Sequence, residues 1–183
     1  MHYHNITYPD MNNGDGLRVV LWLSGCSHHC YNCQNPQTWN PKSGILFDEF
    51  GKLEIFEQLS KDYISGLTLT GGDPLHENNL DEVLKLTEEI RLSFPEKTIW
   101  IYSGYTWEDI FSDTKIQIDD YTAKINENYE NRQHIISLCD VFVDGEYIED
   151  QRDVTLHWCG SSNQKVIDVQ KTLRNGEIIL WED

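Results

Sequence analysis

Short apolar runs rich in β-branched and aromatic residues alternate along this chain with stretches of helical spacing. Arg18–Leu23, Leu67–Thr70, Thr98–Tyr102 and Val141–Val143 read as strands. Between the first two, Phe50, Leu53, Phe56 and Leu59 recur at a three-residue step, close to helical spacing. Leu80, Val83, Leu84, Thr87 and Ile90 fit that spacing better, with Asn78 or Asn79 as the cap and Asp81 and Glu82 in the first turn. The resulting β–α–β–α–β alternation implies an α/β fold with a parallel sheet and right-handed crossovers. Residues 112–133 lack a clean period and read as an insertion, a loop with a short helix. Lys165–Asp168 and Ile178–Trp181 add two further candidate strands.

The 183 residues suit one domain over 1–183, without repeat or linker. No stretch is long and apolar enough to span a bilayer, and the N-terminus lacks the basic and apolar regions of a signal peptide, so a soluble cytoplasmic protein is expected. The formal net charge of −17, from 31 acidic against 14 basic residues, argues against nucleic-acid and membrane partners and describes an acidic solvated surface. Five cysteines, three of them crowded within eight positions, do not form a disulfide framework; in a reducing compartment such a cluster binds metal.

In a parallel sheet, ligands gather beyond the carboxyl ends of the strands. The chemically loaded segments share that address. Gly25-Cys26-Ser27-His28-His29-Cys30-Tyr31-Asn32-Cys33 follows the first strand, Gly71-Gly72-Asp73-Pro74 the second, Ser103-Gly104-Tyr105 the third and Asp144-Gly145-Glu146 the fourth. Cys26, Cys30 and Cys33 have the spacing of an iron–sulfur ligand set lacking one member. A cubane cluster has four irons, so three thiolates leave one iron open, as catalytic zinc keeps one position for substrate. The two glycines let the backbone turn tightly and approach a ligand, and the carbonyls and the Asp73 carboxylate can accept from an ammonium group. A zinc site of Cys3His type, with His28 or His29 as fourth ligand, is the alternative. Cys139, ahead of an apolar strand, reads as a small buried hydrophobe, and Cys159 as an unassigned thiol. Trp22, Trp39, Trp100 and Trp158 read as core or pocket wall. No Ser/His/Asp or Cys/His arrangement for nucleophilic catalysis is evident.

The C-x3-C-x2-C loop after the first strand and Gly-Gly-Asp after the second resemble the radical S-adenosylmethionine (SAM) superfamily. Gly16 to Cys26, Cys33-Gln34-Asn35-Pro36-Gln37-Thr38-Trp39, Thr70 to Pro74, Trp100 to Thr106, Asp140 to Gly145 and Gly160-Ser161-Ser162-Asn163-Gln164 narrow the likeness to the glycyl-radical-enzyme activating proteins. Within these, the branch acting on anaerobic ribonucleoside-triphosphate reductase is the most similar. The resemblance implies a partial (β/α) barrel, its parallel sheet open on one side so that a large protein substrate can insert a glycine loop. It implies a [4Fe–4S] cluster on Cys26, Cys30 and Cys33, with SAM chelating the open iron. Gly71, Gly72 and Asp73 would hold the methionine amino group, Ser103 would lie near the ribose or carboxylate, and Asn32, Cys33 and Gln34 would border the adenine. Reductive cleavage of SAM would yield a 5′-deoxyadenosyl radical that takes hydrogen from a glycine of the reductase large subunit. A reduced flavodoxin-like protein would donate the electron, with Arg18, His28, His29 and Lys42 supplying what positive surface there is. Activation of another glycyl radical enzyme, of pyruvate formate-lyase type, and small-molecule radical chemistry stay open, as does a non-enzymatic zinc module.

Overall fold

A computed structural model of the chain describes residues 1–112 and 120–182. Among them lie seven strands, β1 (His2–Asp10), β2 (Arg18–Leu23), β3 (Ile45–Leu46), β4 (Gly66–Gly71), β5 (Thr98–Tyr102), β6 (Val141–Asp144) and β7 (Lys165–Asp168). Five α-helices accompany them: α1 (Glu49–Leu59), α2 (Leu80–Ser93), α3 (Trp107–Phe111), α4 (Asp120–Leu138) and α5 (Val169–Asn175). The strands form one sheet in the order β3-β1-β2-β4-β5-β6-β7, which is not closed. The four strands expected from the apolar runs, β2, β4, β5 and β6, are mutually parallel and central. The sheet as a whole is mixed, because β1 and β3 on one side and β7 on the other pair antiparallel.

Alternation along the central strands sorts side chains between two faces. Val19, Leu21 and Leu23, with Leu67, Leu69, Ile99, Ile101, Phe142 and Ile167, join one core with Ile55 and Leu59 of α1, Leu80, Val83 and Ile90 of α2, Ile135 and Ile136 of α4, and Val169 of α5. These helices therefore cover one face. On the opposite face Trp100, Val141 and Val143 pack with Tyr102, Trp158, Cys159 and Trp181. Residues i and i+2 of a strand share a face, so this division follows directly from the sequence of each run.

Arg18 closes the second face at the amino end of β2. It is fully buried. Its guanidinium donates to the carbonyls of Asp15, Leu67 and Thr98 and to the hydroxyls of Thr68 and Thr98, and lies 5.3 Å from the Trp100 ring centroid. Burial pulls its pKa down to about 10. This removes Arg18 from the expected positive surface: it sits at the wrong end of the strand and out of solvent.

Other expectations need correction in detail. The stretch expected to be a loop with a short helix, 112–133, instead holds most of α4, which is nineteen residues long and runs on to Leu138; residues 113–119 of that stretch lie outside the described residues. Ile135 and Ile136 lie beyond the 112–133 window, and they are what holds α4 to the core. Ile178–Trp181 contributes a single bridge, Leu180 to Ile167, rather than a strand. Helix α1 forms as expected and Leu59 and Phe56 do pack on the core, yet Phe50 and Leu53 are 81% and 62% exposed and Ile55 faces the core with them. Its cap is Asp48, whose carboxylate accepts from the Phe50 and Gly51 N–H groups. Asn79 precedes α2 without capping it by its side chain; its amide has another task, described below.

Candidate functional site

The loops after β2, β4, β5 and β6 converge at the carboxyl ends of the parallel strands on an open cavity of about 180 Å³. Cys26, Cys30, Cys33, Gly71, Gly72, Asp73 and Ser103 all line it. Asn32 and Gln34 do not; both are exposed. Asn32 has a left-handed backbone, φ 57°, as does His29 at 52°, and asparagine adopts that region more readily than most residues. Its place in the loop thus serves the winding that returns Cys33 towards Cys30, whose carbonyl accepts the Cys33 N–H at 3.1 Å.

All three loop cysteines are free thiols and partly exposed to the cavity. Burial pushes the Cys26 thiol up to about 11 and raises that of Cys30. Cys33 Sγ accepts the Asn35 N–H at 3.4 Å. Among the described residues, no three His, Cys, Asp or Glu side chains converge on one point as a single metal ion requires. The donor set fits a cluster, in which each thiolate takes a different iron and the sulfurs stand apart, better than a lone tetrahedral ion. Cys139 is fully buried and donates to the Ile135 carbonyl, as expected of a core thiol; Cys159 packs beside Trp100 on the second face of the sheet.

The cysteine loop and the Gly-Gly-Asp loop are welded through backbone. Gly72 N–H donates to the Leu23 carbonyl and Asp73 N–H to the Gly25 carbonyl, both at 2.7 Å. A Cβ on Gly72 would stand 2.6 Å from the Gly25 oxygen, and Gly71 has φ 102°, so both positions require glycine. Asn79 joins the two loops: its amide N–H groups donate to the carbonyls of Ser24 and Asp73.

Asp73 is 1% exposed, and its carboxylate is already well occupied. It accepts from Leu75 N–H at 2.8 Å, Ser103 Oγ at 2.8 and 2.9 Å, Gly104 N–H at 3.2 Å and His28 Nε2 at 2.7 Å. His28 Nδ1 lies 3.0 Å from Glu146. Burial alone would depress the His28 pKa, but the bonds and charges of Asp73 and Glu146 outweigh it and leave it raised. One imidazole thereby ties together the loops after β2, β4 and β6.

Trp39 lines the cavity, in keeping with its reading as core or pocket wall; sequence reasoning passed over His28 in its tying role, and Thr70, Tyr102, Glu146 and Gln164 as further lining residues. The Gly160-to-Gln164 motif held a signal for the last. Gln164 Oε1 accepts from Gly160 N–H, Ser161 N–H and Ser161 Oγ, while its amide donates to the Gly145 carbonyl; Asn163 donates to the Glu146 carbonyl. The motif clamps the β6 loop against the cavity. Asp144 supports that loop from below, accepting from Trp107 and Lys165 N–H groups, and burial raises its pKa.

A family model described as a 4Fe-4S single cluster domain matches residues 12–167. Curated relatives named anaerobic ribonucleoside-triphosphate reductase-activating protein match nearly the whole chain. That of Enterobacteria phage T4 is 39% identical over 91% of this chain and 93% of its own length. That of Escherichia coli (strain K12) is 36% identical over 91% and 97%, and that of Haemophilus influenzae 34% over 90% and 96%. The chain belongs to this family of activating proteins. It is an enzyme of the iron–sulfur class, with the cysteine loop inside the matched region. No helix among its described residues is long and apolar enough to cross a membrane.

Proposed function

We propose that this activating protein generates a glycyl radical on an anaerobic ribonucleoside-triphosphate reductase by reductive cleavage of SAM, as the names of its relatives and its own cavity together suggest. The observation that carries the reading is the placement of Cys26, Cys30 and Cys33 in the same cavity as Gly71, Gly72, Asp73 and Ser103. In this reading the three thiolates hold a [4Fe–4S] cluster and leave one iron for the cosubstrate's amino and carboxylate groups. A cluster held there would supply the one-electron reduction of the sulfonium that breaks its C–S bond to methionine and a 5′-deoxyadenosyl radical, which would take a hydrogen atom from a glycine Cα of the reductase.

The protein's part is placement. The peptide carbonyls of the Gly71–Gly72 turn face an ammonium group, while Asp73, held by four partners, fixes the loops around it rather than standing free. Ser103 reaches the cosubstrate only by sharing its hydroxyl with Asp73. Asn32 and Gln34, being outside the cavity wall, leave adenine contacts to other lining groups. The unclosed sheet is read as a partial barrel whose missing wall admits the reductase's glycine loop. A reduced flavodoxin-like protein of the cytoplasm supplies the electron, and with Arg18 buried and His28 engaged, His29 and Lys42 are the exposed basic groups left near the loop. A zinc module with His28 as fourth ligand is disfavoured because both its ring nitrogens already face carboxylates.

Anaerobic reconstitution with iron and sulfide tests the reading. The expected product is a brown protein whose reduced cluster gives an EPR signal that changes when SAM is added. Incubation with the reductase large subunit should then produce a glycyl radical doublet, absent with pyruvate formate-lyase. Stoichiometric zinc with no cluster would overturn the proposal.

A further inference from the structure

The Trp39 indole N–H is buried and has no hydrogen-bond partner. A buried tryptophan normally finds an acceptor for this group, and leaving one unmatched costs about 1–3 kcal/mol. Trp39 is not a loosely placed side chain. Its carbonyl accepts the Cys26 N–H at 3.1 Å, and the neighbouring Thr38 carbonyl accepts the Gly25 N–H at 2.7 Å. The turn Pro36–Thr38 leads into it, with Thr38 Oγ1 donating to Asn35. The segment is thus zipped alongside the first cysteine of the loop. The indole packs edge-on against His29, ring centroids 4.7 Å apart, and lines the same cavity as Cys26, Cys30 and Cys33.

We infer that Trp39 donates its indole N–H to a sulfur of the iron–sulfur cluster and thereby raises the cluster's reduction potential. The inference rests on the proposal that Cys26, Cys30 and Cys33 hold that cluster. A donor aimed at cluster sulfur stabilises the more negative, reduced state, and such hydrogen bonds are among the levers by which proteins set these potentials. Trp39 is then a tuning residue: it takes no part in breaking or forming a bond, but makes the one-electron reduction by a weak donor easier. Among the described residues, a second buried indole N–H without a partner, that of Trp181, belongs to a side chain packed on Trp100 at the second face of the sheet and does not line the cavity.

The test is an EPR-monitored redox titration of the reconstituted protein, wild type against Trp39→Phe, with iron and sulfide content measured on both. A second variant carries benzothienylalanine at position 39, which keeps the bicyclic shape and replaces the N–H by sulfur. The expected result is a full cluster in each and a reduced form about tenfold less favoured in both variants, a fall of about 59 mV for one electron. In wild type labelled with ¹⁵N-indole, the reduced cluster should also show a weak ¹⁵N coupling that Trp39→Phe abolishes. If Trp39→Phe fails to assemble a cluster, the isosteric variant decides by the same titration. An unchanged potential in variants with intact clusters overturns the inference, including the case in which only SAM affinity falls, since the indole would then serve the cosubstrate. A wild-type protein that assembles no cluster instead defeats the functional reading beneath it.

Discussion

His28 Nε2 lies 2.7 Å from the Asp73 carboxylate, so a residue between two cysteines of the loop after β2 is tied to the acidic residue of the neighbouring loop. The carboxylate receives three further donors, Leu75 N–H, Ser103 Oγ and Gly104 N–H. In Asp73→Asn one oxygen becomes an amide N–H facing donors in a buried site. The cost should be about 2 kcal/mol, or roughly 4–8 °C in melting temperature for a chain of this size. Thermal unfolding of the metal-free protein measures it, and an unshifted transition would contradict the described network.

Cys30→Ala should lose the cluster and with it SAM cleavage. Cys139→Ala, a fully buried position on the helix-covered side of the sheet, should keep full iron and sulfide content. Its penalty is confined to a small cavity, about 1 kcal/mol. Iron content and the visible absorbance of both variants after anaerobic reconstitution make the comparison.

Gly72→Ala places a Cβ 2.6 Å from the Gly25 carbonyl oxygen, backbone against backbone, with no flexible side chain to yield. The two loops must part. A destabilisation of about 1–3 kcal/mol is expected, with a tenfold or greater loss of SAM affinity in the variant that still assembles its cluster. A SAM titration followed by the EPR line shape reads this directly; undiminished affinity would mean that the close approach is unimportant.

Arg18 and Lys42 separate stability from docking. Arg18→Lys removes the planar fork that reaches three carbonyls and two hydroxyls, so the melting temperature should fall with reduction by flavodoxin unaffected. Lys42→Glu should do the reverse, slowing reduction and weakening its salt dependence while stability stays constant. Stopped-flow reduction at two ionic strengths alongside calorimetry distinguishes them.

The central strands were legible because a parallel strand packed on both sides writes an unbroken apolar run, as Val19 to Leu23 and Val141 to Val143 do. Strand β1, His2–Asp10, was not, because His2, His4 and Asn5 dilute its pattern and its order comes from pairing with β2. Trp181 and its neighbours have strand composition, yet only Leu180 finds a ladder partner. In the site, cysteine spacing and glycine pairs carry their meaning in local sequence, and those residues do share a cavity. The partnership of His28 with Asp73 and Glu146 spans 45 and 118 residues, and only the assembled loops reveal it. Asn79 shows the same limit: its position before α2 suggests a cap, but its amide serves carbonyls of two distant turns.

The strand order has a consequence for how the molecule is made. From β4 through β5 and β6 to β7, each strand pairs with a strand already synthesised, β4 with β2 and each later one with its immediate predecessor, so this half of the sheet can grow in step with the emerging nascent chain. The three loop cysteines leave the ribosome early, whereas the Gln164 clamp arrives only ahead of the final strand. Until then a truncated polypeptide carries Cys26, Cys30 and Cys33 on an unfinished rim, and the cavity that they line is complete only once the last strand has joined the sheet.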